Sequence, residues 1–137
     1  MARTAYLNLD GEVYSIEVSA HAVHRSNNRF EGQGINSDFI IGRLEVLLMN
    51  PTIVDLVLNE IRYGESFILE DHIMGISLAI AHNYYSGEGS LSVITIRNFL
   101  SAGEGQKIVD VFKRAGEEIV ELFTIKNGRK VRLEVVA

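Results

Sequence analysis

The segment LSVITIRNF, residues 91–99, constrains the fold of this chain more than any other. It alternates in polarity and carries four β-branched residues in a row, which favour an extended backbone over a helix. The same character is found in two preceding segments, SFILED at 66–71 and IMGISLAIAHNYY at 73–85. Because short loops separate these runs, we predict a central antiparallel sheet over residues 66–99.

Hairpin and helix signals flank this predicted sheet. Residues 4–18 alternate around Asp10-Gly11, which predicts a β-hairpin with a tight turn. Helical apolar spacing follows in three segments: from a cap at Ser19 to Phe30, over 37–49, and from Asn50-Pro51 to about Arg62. After Phe99 the spacing predicts one more helix and then a hairpin around Asn127-Gly128.

The expected fold class is therefore α+β. We expect the N-terminal hairpin and helices to pack on the central antiparallel sheet, with a C-terminal helix and β-hairpin as an extension. The chain has 137 residues, 47% of them hydrophobic, which suits one core and is too short for two. We assign 1–100 to the α+β core and 101–137 to the extension of the same domain, because two glycines interrupt the apolar periodicity at Ser101–Gln106.

Charge and cysteine content limit the possible functions. The formal net charge is −5, so most of the surface should repel nucleic acid unless basic groups are gathered locally. The chain has no cysteine, which excludes disulfides, thiolate catalysis and cysteine-based zinc sites. We find no apolar signal-peptide region and no apolar stretch of membrane-spanning length, so we expect a cytoplasmic protein with no membrane partner.

Basic groups are in fact concentrated in VSAHAVHRSNNRF, residues 18–30. On a helix, His21, Arg25 and Arg29 follow one another at i, i+4 and i+8 on one face, and His24 and Asn28 border that face. Arginine offers a planar fork of donors to phosphate oxygens, and histidine exchanges protons near neutral pH. This combination predicts a phosphate site that could cleave a phosphodiester.

Two other interpretations of this helix stay open. The polar face can simply be solvated, since arginines four residues apart repel each other only weakly. A zinc site from His21 and His24 is conceivable, although only His72, His82 and scattered carboxylates are available to complete it. We expect neither a metal nor a cofactor.

The order of these segments resembles a known group of small proteins. A β-hairpin, S-x-H-A-x-x-R-x-x-x-R at the start of a helix, a second helix and a sheet ending in VITIR are similar to DUF4258 and BrnT-type proteins. Those proteins are related to the RelE-like ribonuclease toxins of the barnase, EndoU, colicin and RelE-like grouping. The resemblance covers roughly residues 12–98.

The resemblance implies a function and a set of site residues. It implies a toxin-type ribonuclease whose catalytic residues are His21, Arg25, Arg29 and Thr95, the last of which is followed here by Arg97. Because His24 and Asn28 border the same helix face, we expect them and Arg97 to be binding residues. The implied partners are RNA or a nucleotide phosphate, together with an antitoxin or another protein. The alternative is a phage or mobile-element protein that keeps the scaffold and binds a nucleotide or a protein without cutting RNA. The net charge favours this alternative.

Two expectations concern the strands. The long apolar segment Ile73–Tyr85 and the terminal hairpin would leave exposed strand edges in a monomer, so we expect a homo-oligomer, most simply a dimer. Asp71 and His72 are adjacent between two predicted strands, and we interpret them as a turn.

Overall fold

A computed structural model describes five stretches of the chain, residues 4–22, 36–71, 76–98, 120–126 and 129–136. The fold class is α+β, as predicted. Within the described stretches one mixed sheet contains seven strands, and two helices and the first turn of another, at 20–22, accompany it. The strands are β1 (Thr4–Leu9), β2 (Glu12–Val18), β3 (Glu65–Asp71), β4 (Ile76–Tyr85), β5 (Glu88–Asn98), β6 (Val120–Lys126) and β7 (Arg129–Val136), and the helices are α1 (Ser37–Leu47) and α2 (Pro51–Glu60).

Two-residue turns close the first hairpin and the β4–β5 hairpin. Asp10 and Gly11 both have positive φ, at 53° and 89°, and Ser86 and Gly87 have φ of 51° and 84°. Positive φ at both central positions is the type I′ geometry, whose twist matches that of the flanking strands. The sequence predicted the first turn. The second is shorter than the predicted SGEGS loop, because β5 begins at Glu88.

The strand order is β1-β2-β5-β4-β3-β6-β7. The predicted antiparallel sheet over 66–99 is confirmed, since β4 pairs antiparallel with both β3 and β5. The N-terminal hairpin joins this sheet edge to edge, through a parallel pairing of β2 with β5, rather than packing on its face. The reason is topological. The chain leaves β2, passes through the helices and returns at β3, and the β4–β5 hairpin fills the gap between β2 and β3.

The core lies on one face of the sheet. Along β4 the alternate residues Ile76, Leu78, Ile80 and His82 are buried, and the residues between them are partly exposed. The helices cover this face with their own buried residues, which include Ile40, Ile41, Leu44, Ile53, Leu56 and Val57. Apolar residues that recur with the helical period on α1 and α2 therefore pack against every second residue of the strands, and together they form one continuous apolar layer.

Side-chain caps fix where the two helices begin. The Asn36 side chain accepts from the Phe39 backbone N–H at 2.9 Å, and the Asn50 side chain accepts from the Thr52 N–H at 2.8 Å. Each cap satisfies a backbone donor that has no partner inside the helix. Asn50 followed by Pro51 is the start that the sequence predicted, whereas α1 is capped by Asn36, one residue before the Ser-Asp pair.

One expectation about strand edges changes in the light of this sheet. The segment expected to form an exposed edge is interior, because β4 has a partner on each side, and in the described part of the chain β1 and β7 are the outer strands. Association between copies stays a prediction. The helix predicted after Phe99 lies outside the described residues, whereas the predicted C-terminal hairpin is present as β6 and β7. Within the described stretches, no helix is both long and apolar enough to cross a membrane.

Candidate functional site

The predicted histidine helix begins at Ser19, as expected from the sequence. The Ser19 side-chain oxygen accepts from the Ala22 backbone N–H at 3.1 Å, which is the N-cap hydrogen bond. Ala22 is fully buried in the core, while His21 is exposed. The helix start is thus fixed by a cap and by one buried methyl group, and His21 is left in contact with solvent.

Ser19 also attaches this helix start to β5. Its backbone N–H donates to the Val93 carbonyl at 3.0 Å, and its hydroxyl donates to the Ile94 carbonyl at 3.2 Å. The next residue of β5 is Thr95. His21 and Thr95 are 74 positions apart in the sequence, and the fold brings their backbone segments together at one end of the β2–β5 pair.

Thr95 lies on the face of the sheet that is opposite the core. It pairs with Ala79, which alternates with the buried Leu78 and Ile80, and its own side chain is half-buried. On the same face, the Ser92 hydroxyl donates to Glu17 Oε1 at 2.8 Å. Thr95 is therefore not part of the core, and the Glu17 carboxylate lies on the same face of the sheet.

The other predicted site residues lie wholly or partly outside the described residues. His24, Arg25, Asn28 and Arg29 fall in the undescribed range 23–35. Arg97 lies in β5, where its backbone pairs with Ser77. The arrangement of the arginines around His21 accordingly stays a prediction.

A buried polar network that was not predicted from the sequence lies near the turn of the β4–β5 hairpin. His82 Nδ1 donates to the Ile61 carbonyl at 3.1 Å, so the unprotonated Nε2 accepts from the Tyr14 hydroxyl at 2.8 Å. The Tyr63 hydroxyl is 3.4 Å from that of Tyr14 and 3.5 Å from Glu12 Oε2. The network thus connects a buried imidazole to a surface carboxylate.

Packing explains why the network forms at this place. Tyr14 stands opposite Gly89 in the β2–β5 pair, and a Cβ atom on Gly89 would collide with the Tyr14 ring. Glycine therefore allows the ring to lie flat over the neighbouring strand and to reach His82, with 5.7 Å between the two ring centroids. Tyrosine and glycine are far apart in the sequence, so only their register could have revealed the pair.

Burial changes the proton affinities in this network. It lowers the pKa of His82 below the ordinary value of 6.5, and this outweighs the Ile61 hydrogen bond and the Glu12 charge, which both act in the opposite direction. Burial, helped by the adjacent Tyr63 hydroxyl, raises the pKa of Tyr14. Both groups are therefore neutral at pH 7. The hydrogen bonds of the network join β2, β4 and the turn before β3.

The lowered pKa of His82 makes the stability of the fold dependent on pH. In the unfolded chain this histidine takes up a proton as the pH falls through about 6.5, whereas the folded protein resists that proton until a lower pH. The free energy of unfolding should therefore fall as the pH drops below about 6.5. Above that pH, His82 should cause no change of this free energy with pH. Urea unfolding between pH 7.5 and pH 5 measures the slope.

A matched pair of variants tests whether His82 causes this pH dependence of the free energy of unfolding. His82→Gln removes the titrating group and should flatten the dependence, whatever its effect at pH 7.5, while His21→Gln removes an exposed imidazole and should retain it. An unchanged slope in His82→Gln would contradict the assignment.

A buried ion pair was also missed. Arg43 in α1 donates to both carboxylate oxygens of Asp71, from Nε at 2.5 Å and from Nη2 at 3.1 Å. Asp71 has no exposed side-chain surface, and the Arg43 side chain is 16% exposed. The interpretation of Asp71 as a turn residue is wrong, since it is the last residue of β3. Its side chain is buried on the core face of the sheet, and Arg43 balances its charge there. His72 lies outside the described residues.

No group of three histidines, aspartates or glutamates within the described stretches is placed to hold a metal ion. Comparison of the chain with known protein families, with curated proteins and with solved structures found no match.

Proposed function

We propose that the protein is a metal-independent endoribonuclease of the RelE-like toxin type, acting in the cytoplasm. His21 exchanges the proton, Arg25 and Arg29 hold the phosphate, and Thr95 donates a hydrogen bond to it. His24, Asn28 and Arg97 contact the neighbouring nucleotides. An antitoxin or another protein would then be its regulatory partner.

The attachment of Ser19 to β5 supports this proposal most. Its two hydrogen bonds to the backbone of residues 93 and 94 hold the start of the histidine helix beside Thr95. These bonds fix the backbone at the start of the helix relative to β5, and proton transfer and phosphate binding both require groups in fixed positions. The exposure of His21 gives a large substrate access to its imidazole.

The chemistry needs few protein groups, because RNA carries its own nucleophile. His21 takes the proton of the 2′-hydroxyl, the 2′ oxygen bonds to phosphorus, and the bond from phosphorus to the 5′ oxygen breaks. The departing 5′ oxygen takes a proton from His24 or from water, and a 2′,3′-cyclic phosphate is left. The arginines stabilise the additional charge on the phosphate oxygens during the attack.

Incubation of the purified protein with a mixed RNA pool in EDTA tests this proposal. We expect fragments that end in a 2′,3′-cyclic phosphate, and we expect no cleavage of the same sequences made with 2′-deoxyribose. Chromatography and mass spectrometry of the ends measure both results. Intact RNA, or equal cleavage of the deoxy substrate, would contradict the mechanism, and His21→Ala prepared in parallel controls for contaminating nucleases.

A second candidate function is a non-catalytic module that binds a nucleotide or a protein. The net charge of −5 and the carboxylate of Glu17 on the same face of the sheet as Thr95 favour it, because both oppose a long RNA. The same incubation separates the two candidates, since a binding module leaves every RNA intact and a His21 substitution then changes no rate.

A further inference from the structure

A groove runs beside β1, away from the start of the histidine helix. It encloses about 570 Å³ between the first hairpin and the α1–α2 pair, a volume that suits a ligand or a short peptide. Its apolar lining comes from both sides and includes Leu7, Leu9, Leu48, Val54 and Leu58. Met49 stands at its border with 80% of its surface exposed, and a flexible methionine adapts readily to a partner.

The charged side chains of the groove are all acidic. Asp10, Glu45 and Asp55 line it, and no lysine or arginine is found among its described lining residues. Three carboxylates around an apolar floor attract a ligand that combines apolar and cationic groups, and they repel phosphate. Nucleic acid is therefore a poor occupant.

The backbone of β1 offers a second recognition element along the same groove. Within the described stretches β1 pairs only with β2, so its other edge is unpaired. The two-residue turn makes Leu9 and Glu12 a hydrogen-bonded pair, and bonded pairs then alternate along the hairpin. Thr4, Tyr6 and Asn8 consequently direct their backbone N–H and C=O groups outward.

We propose that this groove binds an extended, basic segment of a partner polypeptide, which adds as a strand to the free edge of β1. Its backbone hydrogen-bonds to the outward groups of β1, and every second side chain enters the groove over α2. Some of these groove-facing side chains are apolar and contact the floor, and others are lysine or arginine and pair with Asp10, Glu45 and Asp55. The site is separate from the proposed ribonuclease centre and does not depend on it.

Binding of a synthetic probe to the full chain tests the proposal. The probe is a fluorescent nine-residue peptide in which every second residue, on the face that enters the groove, is valine or lysine in turn, and the residues between them are threonine. The reference is the same peptide with glutamate in place of lysine. We expect the lysine peptide to bind with an affinity at least about tenfold higher at low salt, and to weaken as salt screens the carboxylates. Fluorescence anisotropy measures both. Equal binding of the two peptides, or no binding of either, would overturn the proposal.

Two substitutions separate the charges from the strand edge. Asp55→Lys should weaken the lysine peptide about fivefold or more, whereas Glu60→Lys makes the same change in net charge outside the groove and should leave the affinity unchanged. Tyr6→Pro removes one outward N–H, which an edge strand tolerates, and should abolish binding. Tyr6→Ala controls for the loss of the ring and should retain binding. Full binding by folded Tyr6→Pro would exclude strand addition.

Discussion

Replacement of His21 by alanine should slow RNA cleavage by about 10²- to 10⁴-fold, the usual effect of removing one general acid or base. The fold should be retained, because His21 is exposed and the neighbouring Ala22 supplies the buried contact of this turn. Single-turnover cleavage of a defined RNA measures the rate, and thermal unfolding measures the stability of the same preparation.

Companion variants show whether the effect belongs to proton transfer. His21→Gln keeps a polar side chain without a titrating group and should be as slow as the alanine variant. Arg25→Ala should slow cleavage as well, through the loss of phosphate binding, whereas Glu60→Gln, an exposed change on α2, should leave the rate unchanged. If His21→Ala and Arg25→Ala both cleave at the parent rate, the helix is a solvated face and the catalytic proposal is wrong.

Replacement of Arg43 by leucine should destabilise the fold by about 3–5 kcal/mol, because it removes the arginine that is paired with a fully buried carboxylate. Asp71 is fully buried, and Arg43 makes two hydrogen bonds to it that hold α1 on the end of β3. Urea unfolding at pH 7.5 measures the change in the free energy of unfolding. At this pH the His82 effect makes no contribution, since both states are neutral there.

Two further variants test whether the loss of stability arises from breaking the ion pair. Arg43→Lys keeps the charge and loses the planar fork, so its destabilisation should be smaller than that of Arg43→Leu. The double variant Arg43→Leu/Asp71→Leu removes both charges and should recover most of the lost stability. A double variant as unstable as Arg43→Leu alone would show that packing of the arginine, and not the charge, is what matters.

Much of the secondary structure could be predicted because its signals are local. The Asp10-Gly11 turn follows from the residues that tolerate positive φ, and the start of α2 follows from an asparagine cap and a proline at the first helical position. The N-cap at Ser19 was likewise visible, since a serine precedes the change from alternating to helical spacing. These features depend on a few neighbouring residues, and tertiary contacts did not override them.

The candidate site likewise has one part that could be predicted from local sequence and another that could not. His21 was identified from its spacing to other polar residues on one helix, which is a local property. Its approach to β5 was not readable, because the hydrogen bonds from Ser19 to residues 93 and 94 join segments separated by more than seventy positions. The resemblance suggested that Thr95 belongs to the same site, and the fold supports that only to the extent of placing the two backbones side by side.

Local signals in the sequence predicted the Asp10-Gly11 turn, the caps at Ser19 and Asn50 and the alternation of apolar residues along the strands, since these depend on φ preferences, capping and periodicity. Long-range contacts set the parallel pairing of β2 with β5, the position of Tyr14 over Gly89 within reach of His82, and the ion pair of Arg43 with Asp71. The physical reason is that pairing register and buried polar contacts depend on which distant segments come together. The pairing of distant segments depends on how the whole apolar layer is buried, so it cannot be predicted from any short stretch of residues.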